Sequence, residues 1–287
     1  MTSEQFDEAQ AIEILNAALA SAPAGRRARI IEKFILAALG SIPWVGGFLS
    51  AAAALRSDEA NARTNNIQTK WLEEHSEKIK ALYAALNDVI ARFDAFGERV
   101  NERLESEDYL NLVRKAFRTW DRSDTDEKRQ AVRNLISNAA GTRVCSDDVV
   151  RLFIDWLTAY HEAHLAVVRY VYQNAGATRY DIWEGTYGTV PRDDFAEADL
   201  YRLLIRDLST GGVLRQARDT DAHGRFLKRP RNRSRSAASP IMESAFEDSK
   251  PYVLTELGSQ FVHYAMTEAT LRISDGGDDL GDGESAD

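Results

Sequence analysis

The sequence predicts a mostly α-helical protein, in which a helical bundle with one long heptad helix precedes a small C-terminal module of mixed structure. Three observations support this fold class. Apolar residues recur at helical spacing through most of the chain up to residue 174. Helix breakers are few, with 6 prolines and 17 glycines among 287 residues. After residue 175 the pattern changes to short helices and short apolar runs typical of strands.

Composition excludes several classes of protein. Hydrophobic residues make up 44% of the chain and charged residues 28%, a balance typical of globular proteins. The formal net charge of -9 argues against a general nucleic-acid binder that acts through its whole surface. The single cysteine, Cys145, excludes an internal disulfide framework and a Cys-rich zinc module.

The first 29 residues contain no apolar stretch preceded by positive charge, so they do not resemble a secretory signal. Instead, Ser3 is placed to cap an amphipathic helix from about residue 4 to 20. We therefore expect a cytoplasmic protein with an N-terminal helical domain over residues 1–174.

An uncharged apolar segment of 22 residues, from Phe34 to Leu55, is the most unusual feature of that domain. Pro43 and the glycines around it predict a break near the middle, with two short helical arms joined at 41–47. The segment is either a buried hairpin, a membrane-inserting hairpin released on activation, or a permanent span, which the central break disfavours. The candidate membrane-interacting residues are Phe34, Ile35, Leu36, Leu39, Ile42, Pro43, Trp44, Val45, Gly46, Gly47, Phe48 and Leu49.

A long helix follows, because residues 58–106 contain no proline and only one glycine. Its apolar residues alternate at steps of three and four, which is a heptad pattern. Such a helix packs within an antiparallel bundle or pairs with a copy of itself. The candidate self-association residues are Ile79, Leu82, Leu86, Val89, Phe93, Phe96 and Val100.

Three further helices complete the first domain. Two are predicted near residues 107–121 and 124–140, and the second has an acidic first turn that suits the helix dipole. Ser146 is placed to cap a third, continuous helix that reaches residue 174. Because this last helix is apolar on most sides, we expect it to be a buried connection between the two domains.

In the C-terminal module, the sequence pattern predicts helices at 178–185 and about 194–209 and strands at 213–217 and 252–254. It also predicts a final helix capped by Thr255. The run Tyr252-Val-Leu-Thr-Glu-Leu-Gly258 resembles the strand-to-helix corner of winged-helix regulators such as the PadR and MarR families. The resemblance implies a winged-helix-like module over residues 175–272. About 32 residues, 218–249, separate the two strands, where a typical wing is short.

Residues 201–242, which overlap that insertion, hold ten basic and three acidic side chains, and six of the basic residues lie between Arg225 and Ser236 within the insertion. It either binds phosphates as a flexible arm or is a solvated loop, which could pair with the acidic, disordered tail predicted at 273–287. The candidate nucleic-acid-binding residues are Arg202, Arg206, Arg225, Lys228, Arg229, Arg231, Arg233 and Arg235.

No standard motif for catalysis or cofactor binding is evident. The chain lacks a Gly-rich phosphate loop, and His161-Glu-Ala-His164 lacks the spacing of a zinc protease. We therefore expect packed histidines, no catalytic or metal-binding residues and no cofactor.

One resemblance bears on function. The run Ile42-Pro-Trp-Val-Gly-Gly47, the charged long helix and the winged-helix-like corner together resemble bacterial phage-defence and abortive-infection effectors. This implies a non-enzymatic effector in defence or stress response that perturbs the inner membrane through its apolar hairpin, with lipid or a second copy as partner. The alternatives are a winged-helix nucleic-acid-binding regulator and a structural helical oligomer.

Overall fold

The computed structural model describes residues 25–47, 62–217, 223 and 244–266, excluding the side chains of 62–74 and 76. Several predictions lie outside these residues. They are the helix at 4–20, the second apolar arm with Phe48 and Leu49, the tail at 273–287, and the basic arm with Arg225, Lys228, Arg229, Arg231, Arg233 and Arg235.

The described chain is mostly α-helical, as predicted. Its helices are α1 (Arg26–Leu39), α2 (Ala62–Phe96), α3 (Asn101–Glu105), α4 (Glu107–Arg122), α5 (Asp126–Gly141), α6 (Asp147–Ala159), α7 (Glu162–Gln173), α8 (Arg179–Tyr187), α9 (Ala196–Thr210) and α10 (Glu256–Phe261). Two short strands, β1 (Leu214–Gln216) and β2 (Tyr252–Leu254), pair antiparallel.

The described part of the apolar segment lies in the protein core. Phe34, in α1, is fully buried, and its ring centroid lies 5.0 Å from that of Phe93 and 5.9 Å from that of Phe117. Both are edge-on contacts, which aromatic pairs prefer. The break falls at residues 40–42, and Pro43 begins a helical turn over 43–47, a position that proline tolerates well.

Ten of the twelve candidate membrane-interacting residues belong to the described chain. Phe34, Ile35, Ile42 and Val45 are buried, Leu39 and Trp44 are half-buried, and Leu36, Pro43, Gly46 and Gly47 are exposed. Trp44 Nε1 donates a hydrogen bond of 2.6 Å to Asp121 Oδ1 on α4. Within the ranges described, no helix combines the length and apolarity needed to cross a membrane.

The heptad side of α2 also faces the core of the same chain. The seven candidate self-association residues, Ile79, Leu82, Leu86, Val89, Phe93, Phe96 and Val100, are each at most 6% exposed. The helix is shorter than the pattern predicted. Gly97 adopts a positive φ of 70° and starts a 3₁₀ turn over Gly97–Val100, because glycine alone enters this conformation readily.

The continuous helix predicted from Ser146 to residue 174 is wrong. Tyr160 and His161 have extended backbone angles and separate α6 from α7. The backbone N–H of His161 donates to Nδ1 of His164 at 3.1 Å, so a side chain inside α7 satisfies the start of that helix. Ser146 lies at the start of α6 but makes no capping hydrogen bond with its side chain.

The C-terminal module forms around β2. Leu214 of β1 lies opposite Leu254, and Gln216 lies opposite Tyr252. On the other edge of β2, Gly176 N donates to Tyr252 O at 3.0 Å, and Tyr252 N donates to Ala177 O at 2.8 Å. Residues 176–177 therefore add a third, very short strand-like segment to the sheet.

The chain then returns to the bundle through Thr255, which caps α10 as predicted by accepting a hydrogen bond from Gly258 N at 2.9 Å. A π-helical turn, Val262–Met266, follows α10 and packs on α5. There Asn138 Nδ2 donates to Tyr264 O at 3.0 Å, and Asn134 Nδ2 donates to Ala265 O at 3.1 Å. The buried residues of the bundle and the module belong to one hydrophobic core.

We expect Phe34→Ala to lower the free energy of unfolding by about 3–5 kcal/mol, because it opens a cavity among three packed rings. The matched control is Leu36→Ala, two residues away on the exposed side of α1, which we expect to change stability by less than about 0.5 kcal/mol. Urea denaturation followed by circular dichroism measures both. Equal small effects would contradict the placement of this segment in the core.

Candidate phosphate-binding cleft

A cleft of about 570 Å³ lies between α8, α9 and the strand pair in the C-terminal module. Four arginines line it, together with polar side chains and a small apolar floor, and its described lining contains no Asp or Glu. The lining residues are Arg179, Arg202, Ile205, Arg206, Ser209, Thr210, Leu214, Arg215, Gln216 and Tyr252. Such a lining suits an anionic ligand.

Helix α9 supplies one wall because of its amphipathic sequence. Leu204, Ile205 and Leu208 are buried and anchor the helix against the module. Residues three and four apart share a helix face, so Arg202, Arg206 and Ser209 line up along one flank beside that anchor. This flank faces the strands across the cleft.

The start of α8 supplies Arg179. Thr178 caps this helix by accepting a hydrogen bond of 3.2 Å from Asp181 N, while Asp181 Oδ2 accepts from Thr178 N at 2.9 Å. Burial raises the pKa of Tyr201, so its hydroxyl stays protonated and donates to Arg179 O at 2.8 Å. The backbone that carries Arg179 is therefore held from both sides.

Tyr252 links the start of α8 to β1 through its hydroxyl group. Its hydroxyl oxygen accepts a hydrogen bond from Arg179 Nε at 3.1 Å and a long one from Gln216 Nε2 at 3.4 Å. The Arg179 guanidinium also lies 5.6 Å from the Tyr252 ring centroid, within the range of a cation–π contact. Tyr252 thus orients two groups that line the cleft.

Three of the four arginines reach the cleft from different elements: Arg179 from α8, Arg206 from α9 and Arg215 from β1. Arg202 donates to Asp199 Oδ1 at 2.9 Å and to Asp193 Oδ1 at 3.0 Å, so two carboxylates offset its charge. Arg206 is 71% exposed, and its Nε lies 3.8 Å from Asp207 Oδ1. Arg215 is exposed on β1, opposite Val253.

The opposite flank of α9 packs on the link between α6 and α7. His164 is 4% exposed, stacks on Tyr160 with centroids 5.0 Å apart, and places Nε2 at 3.7 Å from Asp207 Oδ2. Burial lowers the pKa of His164, and the Asp207 carboxylate offsets this in part. A Cβ at Gly211, just after α9, would lie only 2.1 Å from the Tyr160 hydroxyl oxygen, so a larger residue there would force the Tyr160 side chain to move.

Of the candidate nucleic-acid-binding residues, the described chain includes Arg202 and Arg206, and both line the cleft. The other eight lining residues, among them Arg179, Arg215, Gln216 and Tyr252, were not predicted as binding residues from the sequence. The two strands were predicted, but their pairing was not used to place residues. Pairing Gln216 with Tyr252 would have indicated that the two strands contribute to one surface.

No protein-family model, curated protein or solved structure matches the chain. Among the described residues, no group of three or more His, Cys, Asp or Glu side chains could hold a metal ion.

Because burial lowers the pKa of His164, the folded protein takes up its proton less readily than the unfolded chain. The stability that this group contributes is present above the unfolded pKa of about 6.5 and is lost as the pH falls through the folded value. We expect His164→Asn to reduce the loss of unfolding free energy between about pH 7.5 and about pH 5.5.

Urea denaturation at both pH values measures this difference. The control is Leu36→Ala, which changes an exposed residue without removing a titratable group, so the pH dependence should stay as in the unmodified protein. An unchanged pH dependence in His164→Asn would contradict the assignment.

Proposed function

We propose that this protein binds nucleic acid through its C-terminal module and acts as a regulator rather than an enzyme. The observation that supports this most is the four-arginine cleft between α8, α9 and the strand pair. Guanidinium groups suit phosphate oxygens because their planar, forked donors can form paired hydrogen bonds. The basic arm that contains Arg229, Arg231 and Arg233 starts from the strand that carries Arg215.

The order of the elements supports a winged-helix-like module. The chain runs from α7 through residues 176–177 to α8, α9, β1 and β2, which is helix, strand-like segment, helix, helix, strand, strand. Because β2 lies between β1 and the segment 176–177, the order of the strands in the sheet also resembles that of winged helices. In this interpretation α9 is the helix that faces the ligand.

We propose contact with phosphates rather than recognition of bases. The exposed surface of α9 carries Glu197, Asp199, Leu200 and Leu203, and the two leucines are 49% and 39% exposed. The carboxylates of Glu197 and Asp199 repel the phosphate backbone of a nucleic acid. The leucine side chains cannot form a hydrogen bond with a base edge in the major groove. The cleft instead contributes charge, which gives affinity with little sequence preference and a strong salt dependence.

The proposal is tested by titrating the full chain into a labelled duplex of about 30 base pairs and measuring fluorescence anisotropy at about 50 and about 200 mM salt. We expect binding at the lower concentration and much weaker binding at the higher one. Arg206→Ala should lower the affinity several-fold and reduce the salt slope by about 1, because one phosphate contact is lost.

Two comparisons complete this experiment. The triple variant of Arg229, Arg231 and Arg233 to Ala measures the contribution of the arm. Arg114→Ala is the matched control, because Arg114 pairs with Glu107 on the distant helix α4. The proposal fails if the unmodified protein does not bind at the lower salt concentration, or if Arg114→Ala weakens binding as much as Arg206→Ala.

Membrane perturbation by the apolar segment is the second function that we consider. The exposed positions of Leu36, Gly46 and Gly47 favour it, since they leave part of the segment at the protein surface. Phe34 and Ile35 would have to leave the core before insertion, which makes this function the more costly one. A structural oligomer would likewise need a surface other than the buried heptad side of α2.

A liposome-leakage assay with the full chain and with Gly47→Glu tests the membrane alternative. If the hairpin inserts, we expect leakage from the unmodified protein and strongly reduced leakage from the variant, because a charge in the bilayer is costly. Equal leakage from the two proteins would contradict insertion through this segment.

A further inference from the structure

The arginines of the cleft surround one concave site, whereas a surface that binds only the backbone of a duplex can spread its contacts along an open face. Contacts to a nucleic-acid backbone can be spread along an open face, with each phosphate carrying one charge. Here Arg179, Arg206 and Arg215, from three different elements, converge on one cavity of about 570 Å³. That volume lies within the range of small-molecule sites, roughly 300–1,000 Å³.

A compact ligand with several negative charges matches this arrangement better than a single phosphodiester does. Coulomb attraction to a group of cations grows with the charge of the ligand that reaches all of them at once. A chain of two or three phosphates brings several charges into a short length. The cleft also offers hydroxyl and amide donors from Ser209, Thr210 and Gln216, which suit the remaining phosphate oxygens.

We propose that the cleft is a binding site for a polyphosphate chain of two or three phosphates. Arg206 and Arg215 bind its oxygens from opposite walls, and Arg179 binds from the end where α8 begins. Arg202 stabilises the α9 wall and does not bind the ligand, because Asp193 and Asp199 already accept its hydrogen bonds. The two sources of such a chain are inorganic polyphosphate and a nucleoside polyphosphate.

Tyr252 is a positioning residue in this site. Its hydroxyl oxygen accepts from Arg179 Nε and Gln216 Nε2, so it orients a cation and an amide without needing to touch the ligand. The buried ring, 3% exposed, stays in place when only the oxygen is removed. Tyr252→Phe should therefore loosen Arg179 while leaving the fold intact.

The inference rests on the same cleft as the proposed nucleic-acid function, and it adds a regulatory consequence. A polyphosphate bound between Arg206 and Arg215 occupies the guanidinium groups that would contact the duplex backbone. The two ligands therefore compete, and the concentration of the small ligand sets how much nucleic acid is bound.

Isothermal titration of the full chain with sodium triphosphate at about 50 mM salt tests the site directly, with orthophosphate as the low-charge comparison. We expect triphosphate to bind at least about tenfold more tightly than orthophosphate. The double variant Arg206→Gln with Arg215→Gln should lose at least about tenfold in triphosphate affinity, and Tyr252→Phe about threefold.

Arg114→Gln is the control, and urea denaturation of each variant verifies that it is folded. The site is overturned if triphosphate shows no saturable binding up to about 1 mM, or if Arg114→Gln weakens binding as much as the double variant. Equal affinities for triphosphate and orthophosphate would also overturn it, since they would indicate general charge attraction. Parallel titration with ATP separates the two sources: tighter binding of ATP supports a nucleoside polyphosphate, and equal binding supports the inorganic chain.

The duplex titration distinguishes this inference from the proposed function. If the duplex binds and triphosphate does not, the inference fails and nucleic-acid binding stands. If triphosphate binds and the duplex does not, nucleic-acid binding fails and the polyphosphate site stands. If both bind, triphosphate should displace the duplex from the unmodified protein, and simultaneous binding would overturn the proposed competition.

Discussion

The fold depends on the requirement that every buried backbone carbonyl finds a hydrogen-bond donor. The π-helical turn at the end of the described chain presents the carbonyls of His263, Tyr264 and Ala265 to α5, where the amides of Asn134 and Asn138 donate to them. An unsatisfied buried group would cost about 1–3 kcal/mol. This requirement therefore fixes the turn Val262–Met266 on the bundle, and with it α10 and β2, which lead directly into the turn.

The cleft is a consequence of that attachment. Thr255, between β2 and α10, caps the helix and also donates from Oγ1 to Gly212 O at 2.6 Å. The corner after β2 is thereby tied to the end of α9. This hydrogen-bonded corner therefore joins β2, which carries Tyr252, to the end of the helix that carries Arg206, and so brings two parts of the cleft lining together.

Local patterns in the sequence predicted much of this structure, because capping and amphipathic spacing act within a few residues. Thr255 and the strand over 252–254 were placed correctly. The break at Tyr160 was missed because apolar residues continue across it, and only the hydrogen bond from His161 N to His164 shows that a new helix starts there. The same apolar pattern did not reveal that Gly97 would end α2.

The site was harder to predict than the fold, and the reason is spatial. Arg202 and Arg206 stood out because they lie one turn apart in a basic stretch. Arg179 lies outside that stretch, and Arg215, although inside it, belongs to a predicted strand rather than to the helix face of Arg202 and Arg206. They reach the cleft through strand register and the Tyr252 hydroxyl, and both are properties of long-range pairing.

The end of α9 contacts the helical bundle where Gly211 lies beside Tyr160. A Cβ atom on residue 211 would lie 2.1 Å from the phenolic oxygen, so a larger residue there would have to displace the Tyr160 ring and the His164 ring stacked on it. The arginine-bearing helix therefore ends at a position where side-chain volume would disturb the interior of the helical domain.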